Sequence, residues 1–142
     1  MAVDVRRLEP RDEEIVRALT DRQRYEPLTA ASAKRFLTEP HNLMVVAFDG
    51  GAPVGFVLGY ELQRRHGPER SLFVYDVDVE EQYRRRGIGT KLIRHLFELA
   101  RQNGAADAFV LTDQSNETAM AFYRALGGRR ERDDDVLFDF RL

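Results

Sequence analysis

A chain of 142 residues, 43% hydrophobic and 32% charged, reads as one soluble globular domain, long enough to bury a core of its own. Its net charge of −2 gives no general pull toward nucleic acid, and the absence of cysteine excludes disulfides and thiolate chemistry. No apolar run approaches the ~20 residues that span a bilayer, and the opening MAVDVRRLEP lacks the apolar core of a signal peptide, so a cytoplasmic protein without a membrane partner is expected.

Residues 3–8 (VDVRRL) alternate apolar and charged positions, as a half-buried strand does. Pro10 then precedes a helical pattern through Ile15, Val16 and Leu19. A short helix is expected over 29–37, with Thr29 able to cap it. Residues 43–48 (LMVVAF) and 54–62 (VGFVLGYEL) flank the turn signal DGGAP and predict a hairpin. After the polar loop QRRHGPER, residues 71–79 (SLFVYDVDV) are rich in aromatic and β-branched side chains and predict a strand. Leu92, Ile93, Leu96, Phe97 and Ala100 form one face of a helix over 90–103, with Gly104 where it should end. Residues 108–112 (AFVLT) predict a further strand. Ala119, Phe122, Tyr123 and Leu126 stripe a last helix that Gly127 and Gly128 should stop. Residues 136–140 (VLFDF) predict a closing strand paired with residues 129–131. The order is that of an α+β, or mixed α/β, domain.

The chemistry concentrates in YRRRGIGTKL, residues 83–92. Glycine lets a ligand approach the main chain, the first amides of a helix lack internal partners, and its dipole attracts anions. Arginines beside such a turn add charge-assisted hydrogen bonds to phosphate oxygens. The stretch is not a P-loop, and Leu92 stands where a dinucleotide fingerprint requires its third glycine. A solvated charge run with a turn glycine would share the composition.

What remains, Arg84-x-x-Gly87-x-Gly89, resembles the R/Q-x-x-G-x-G/A signature of the GNAT acetyltransferase superfamily. The segment NETAMAFYRALGG at 116–128 is similar to that superfamily's N-x-x-A-x-x-x-Y-x-x-x-G pattern, and the element order resembles its fold over nearly the whole chain. The resemblance implies one domain over 1–142, with a mostly antiparallel sheet of about seven strands flanked by about four helices. It implies acetyl-coenzyme A as co-substrate and no metal. Main-chain groups of Val77 and Val79 would meet the pantetheine arm in a gap between splayed strands. The amides of Arg84, Arg85, Arg86, Gly87, Ile88, Gly89 and Thr90 would hold the pyrophosphate. Asn116, with Ala119 and Phe122 on the same helix, would line the coenzyme. Tyr123 would stand near the sulfur as the general acid that a departing thiolate requires.

The attacking amine must first lose a proton, and Asp76, Asp78, Asp113 and Asp139 are candidate acceptors. Asp76 and Asp78 are two apart, so they share a strand face. Buried there they would be costly, so they line a wet cleft, meet a cation or lie at the surface. His41, His66 and His95 show no metal-ligand spacing, and surface positions are expected for them. More narrowly, FVYDVDV, LTDQSNETAMAFYRALGG and DDVLFDF resemble the aminoglycoside 3-N-acetyltransferases of the GNAT type. That likeness implies a polycationic sugar held by Asp76, Asp78, Asp113, Asp135 and Asp139, with Asp113 and Asp76 serving the chemistry. A different acceptor (a polyamine, an amino acid or a protein N-terminus) and a binding module without turnover stay open. A homodimer is a further expectation from the fold.

Overall fold

The computed structural model describes residues 2–142, which form two compact units, one running to Leu111 and one spanning Thr112–Leu142. The first unit contains β1 (Val3–Arg7), α1 (Glu13–Arg22), α2 (Ala30–Thr38), β2 (Asn42–Asp49), β3 (Ala52–Gln63), β4 (Arg70–Val79), α3 (Ile88–Gln102) and β5 (Ala105–Val110). Single 3-10 turns at Pro10–Asp12 and Glu81–Tyr83 introduce α1 and follow β4. The sheet runs β1-β2-β3-β4-β5, antiparallel as far as β4, with β5 parallel to β4.

Residues 43–48 are buried without alternation because helices cover both faces of the sheet. Met44, Val46 and Phe48 join Leu8, Val16, Leu19, Leu37 and Phe56 in a cluster beneath α1 and α2. On the other face α3 lays down Leu92, Ile93, Leu96 and Ala100, all buried. Burial of each such Leu or Ile is worth about 1.5–3 kcal/mol. Gly59 permits the close approach of α3, since a Cβ there would come within 2.9 Å of Leu72 and 3.1 Å of Leu96. Thr29 caps α2 as expected, its hydroxyl accepting from the Ser32 amide at 3.1 Å.

Arg6 and Asp12, six residues apart, form a two-pronged ion pair at 2.9 and 3.0 Å. Asp12 also accepts from the Glu9 amide at 2.7 Å. The Arg6 guanidinium holds the Asp12 carboxyl below the ordinary carboxylate range, against the opposing effect of burial.

The second unit holds α4 (Glu117–Ala125), whose cap Asn116 accepts from the Ala119 amide at 3.0 Å. Among the described residues the predicted closing strand at 136–140 and its partner at 129–131 do not form, so the sheet has five strands there and falls short of the expected count of about seven. Val136, Leu137, Phe138 and Phe140 are all 75–78% exposed, so the apolar side chains of the segment are not buried. Local charge pairing competes with extension here. Arg132 Nε lies 3.4 Å from both Asp134 and Asp135, and Arg130 donates to the Asp133 carbonyl at 3.1 Å. These contacts curl residues 130–135, and residues 136–140 gain no second strand for their amides.

Candidate active site

The β4–β5 ladder begins at Arg70 and ends where Val74 meets Val110. Beyond that point β4 continues to Val79 on β3 alone, with Val77 opposite Val57 and Val79 opposite Gly55. Residues 75–79 therefore present a main-chain edge without a second strand, where an extended ligand finds donors and acceptors. Part of the edge is taken, because the Val79 carbonyl accepts from Arg84 Nε at 2.8 Å.

The turn that follows is held from several sides. Tyr83 donates its hydroxyl to Asp49 at 2.7 Å, which ties the turn to the end of β2 and raises the phenol above its ordinary range. The Arg86 guanidinium lies over the Tyr83 ring at 5.4 Å. Arg85 takes a left-handed φ of 63° and has no hydrogen-bond or ion-pair partner among the described residues. Gly87 is left-handed too, at φ 77°, and a Cβ there would meet nothing within 4 Å. The backbone twist, not crowding, selects glycine, and the space before it is open.

Helix α3 begins at Ile88, two residues earlier than the periodicity predicts, because buried Ile88 belongs to its apolar face. Its first internal bond joins the Lys91 amide to the Gly87 carbonyl at 3.0 Å. The amides of Ile88, Gly89 and Thr90 consequently have no helical acceptor and stand at the positive end of the dipole. An unpaired strand edge followed by three uncommitted amides, an open glycine and a spare guanidinium fits an extended pantetheine and its pyrophosphate.

Asp76 and Asp78 share the face of the sheet that carries α1, opposite Leu58 and Phe56. Both are half-buried. Gln23, at the end of α1, donates to Asp76 at 3.3 Å, and Arg84 lies 3.7 Å from Asp78. Of the outcomes open to this pair, Asp78 meets a cation. Neither Gln23 nor Asp49 stands out in the sequence, since each acts across more than thirty residues.

In the second unit, Asp113 folds into the turn before α4. One carboxylate oxygen accepts from the Ser115 amide and hydroxyl, both at 2.8 Å. These bonds, the amide first, lower its pKa, so Asp113 is suited to fixed negative charge more than to taking a proton. Asn116 spends its carbonyl oxygen on the helix cap, which leaves its Nδ2 donors outside that bond. Ala119, Phe122 and Tyr123 follow on α4, each partly buried, with the two rings 5.2 Å apart.

Asp135 and Asp139 lie on the exposed end of the chain, Asp135 beside Arg132. His41 is within 3.5 Å of Glu61, a buried carboxylate that also accepts from Asn103 at 3.1 Å, and so serves packing. Among the described residues no group of three or more His, Cys, Asp or Glu is placed to hold a metal, and no helix is long and apolar enough to cross a membrane.

Comparison with known proteins gives a consistent picture. The profile of the acetyltransferase (GNAT) family matches residues 7–127. The N-alpha-acetyltransferase RimI of Mycobacterium tuberculosis is 37% identical over 105 residues, covering 74% of this chain and 63% of that protein. The chain thus spans less than two thirds of the length of this relative, and 44% of a mouse N-acetyltransferase family 8 member. Among solved structures, an aminoglycoside acetyltransferase from an uncultured soil metagenomic sample superposes with a TM-score of 0.89 at 28% identity, covering 100% of this chain and 99% of the other. A ribosomal-protein-alanine N-acetyltransferase from Brucella melitensis shares the fold at a TM-score of 0.74 and 23% identity, over 97% and 100% of the two chains.

Proposed function

The chain belongs to the acetyltransferase (GNAT) family, and we propose that it moves an acetyl group from acetyl-coenzyme A to an amine of an aminoglycoside, at the 3-amino position. The observation that carries acetyl transfer is the end of the β4–β5 ladder at Val74, immediately before the uncommitted first turn of α3. Both units would serve a single acetyltransferase domain.

When bound, acetyl-coenzyme A supplies an acetyl group activated as a thioester. Val77 and Val79 offer main-chain partners to its extended arm, and the amides of residues 84–90 take its phosphates, with Arg85 adding charge. Asn116 donates to the arm, and Ala119 and Phe122 pack along it. Tyr123 holds a transferable proton at its hydroxyl, the group a leaving sulfur needs. Asp113, kept ionised by Ser115, holds an ammonium of the acceptor, and Asp76 is the candidate to receive the proton of the attacking amine. Asp78, Asp135 and Asp139 would add negative potential that steers a polycation.

The aminoglycoside assignment draws on two supports, the paired carboxylates of β4 and the similarity to the soil aminoglycoside acetyltransferase. A second reading, acetylation of a protein N-terminus, is favoured by the similarity to RimI. A thiol-release assay with acetyl-coenzyme A tests both, using gentamicin, spermidine and a short peptide in parallel. Release with gentamicin and one added acetyl mass is the expected result. Release with the peptide alone would transfer the assignment to the second reading, and silence with every amine would overturn acetyl transfer.

A further inference from the structure

Tyr75 and Asp76 are consecutive in β4, yet both serve the same side of the sheet. The register gives the reason: Val74 pairs with Gly59 and Asp76 with Leu58, so Tyr75 is an extra residue without a counterpart on β3. Gly59 marks the α3 side, where a Cβ would strike Leu96, whereas Leu58 packs against the cluster under α1 and α2. Asp76 therefore faces α1, as its bond from Gln23 requires. Tyr75 stands on that side as well, edge-on to Tyr60 at 5.4 Å and to Phe73 at 5.6 Å. Phe73 in turn stacks on Phe109 of β5, 4.8 Å away and nearly parallel.

The outcome is a row of four rings across β3, β4 and β5, beside two carboxylates. Tyr75 is 60% exposed and Phe109 44%, so the row is not core. Rings exposed in a continuous row offer a surface on which a ligand can lie. Its neighbours select the occupant. An apolar segment lying here would have to desolvate Asp76, whose partner Gln23 brings no counter-charge. A cation meets both features, drawn to the carboxylates and to the negative faces of the rings. Burial first, and then Tyr75 and Asp76, raises the Tyr60 phenol, so this ring stays neutral.

We propose that Tyr75, backed by Tyr60, Phe73 and Phe109, is the acceptor-selecting wall of the enzyme, receiving one ammonium-bearing ring of a polycationic amine beside Asp76. The role in turnover rests on the acetyltransferase reading above. The binding role does not.

Calorimetric titration of gentamicin into the full chain separates the two, alongside thiol release. Tyr75→Ala is expected to weaken gentamicin binding about three- to tenfold, and Tyr75→Phe to keep it within about twofold. Acetyl-coenzyme A affinity is expected to hold in both variants. Tyr75→Leu, which keeps bulk without a π face, should behave as Tyr75→Ala. The proposal is overturned if wild-type protein does not bind gentamicin, if Tyr75→Ala binds it as wild type does, if Leu substitutes for the ring, or if acetyl-coenzyme A affinity falls in parallel. Gentamicin binding that depends on the ring, with no thiol release from any amine, would support the wall while retiring acetyl transfer. Thiol release from gentamicin with a KM unaffected by Tyr75→Ala would retire the wall and leave acetyl transfer standing.

Discussion

The Gly128 amide donates to the Tyr123 carbonyl across 2.9 Å, and a Cβ on Gly128 would stand 2.9 Å from the same oxygen. Gly128, one residue past the left-handed Gly127 that stops α4, thus fixes the last turn on which the proposed acid sits. Gly128→Ala forces that carbonyl or its own backbone to move, at a cost of about 1–3 kcal/mol. The expected outcome is a fall in kcat with acetyl-coenzyme A affinity preserved. Unchanged kcat alongside a lowered melting temperature would make the contact purely structural.

Tyr123→Phe removes one oxygen and leaves the ring beside Phe122. If Tyr123 is the general acid, kcat falls roughly 10² to 10⁴-fold while acetyl-coenzyme A binds as before. Steady-state kinetics paired with a binding titration decide the matter, and undiminished turnover removes the tyrosine from the chemistry.

Gly89→Asp separates helix stability from ligand affinity. An acidic residue in the first turn of α3 complements the helix dipole, so the melting temperature should hold or rise. The same charge stands where the pyrophosphate is proposed to bind, so acetyl-coenzyme A affinity should drop. Equal affinity in the variant would remove phosphate from this turn.

Asp113→Asn keeps an acceptor for both Ser115 bonds and deletes only the charge. The amine KM should rise and the acetyl-coenzyme A KM should not. Because Ser115 lowers the carboxyl pKa, the wild-type amine KM should show no Asp113 titration between neutrality and the ordinary carboxylate range. A variant affecting only coenzyme binding would reassign the residue.

The Arg6–Asp12 pair makes a prediction for stability in acid. The folded Asp12 carboxyl lies below its unfolded value, so the unfolded chain takes the proton first as pH falls. The contribution is fully present above the unfolded value and is lost as pH drops through the ordinary carboxylate range toward the folded one. Arg6 is half exposed and screened, which keeps the effect modest. Denaturation at stepped pH should show wild type losing more stability in that window than Asp12→Asn, and identical slopes would refute the linkage.

Elements that declare themselves by period were legible in the sequence. The stripe from Leu92 to Ala100 gives α3, and Asn116 with Gly127 brackets α4. The Arg-Gly turn was equally plain, because left-handed backbone beside a helix start demands glycine at 87. Partners far along the chain were not legible. Nothing in Tyr83 names Asp49, and nothing in Glu61 names Asn103. The apolar run of 136–140 reads as a strand because pattern records side-chain polarity, whereas a strand needs a second strand for its amides. FVYDVDV likewise conceals its extra residue, since a bulge is a property of two strands counted together.

The extra residue gives β4 a tolerance found nowhere else along its length. Val74 and Asp76 already stand opposite adjacent residues of β3, so removing Tyr75 would join the two halves of the ladder without shifting either. Loss of a residue from β4 between Asp76 and Val79 would instead break the register, turning the side chains on one side of the gap to the opposite layer. Position 75 is therefore where sequence drift can change the length of the strand in a single step. The exposed ring comes and goes by one codon, while residues 76–79 keep their frame on β3.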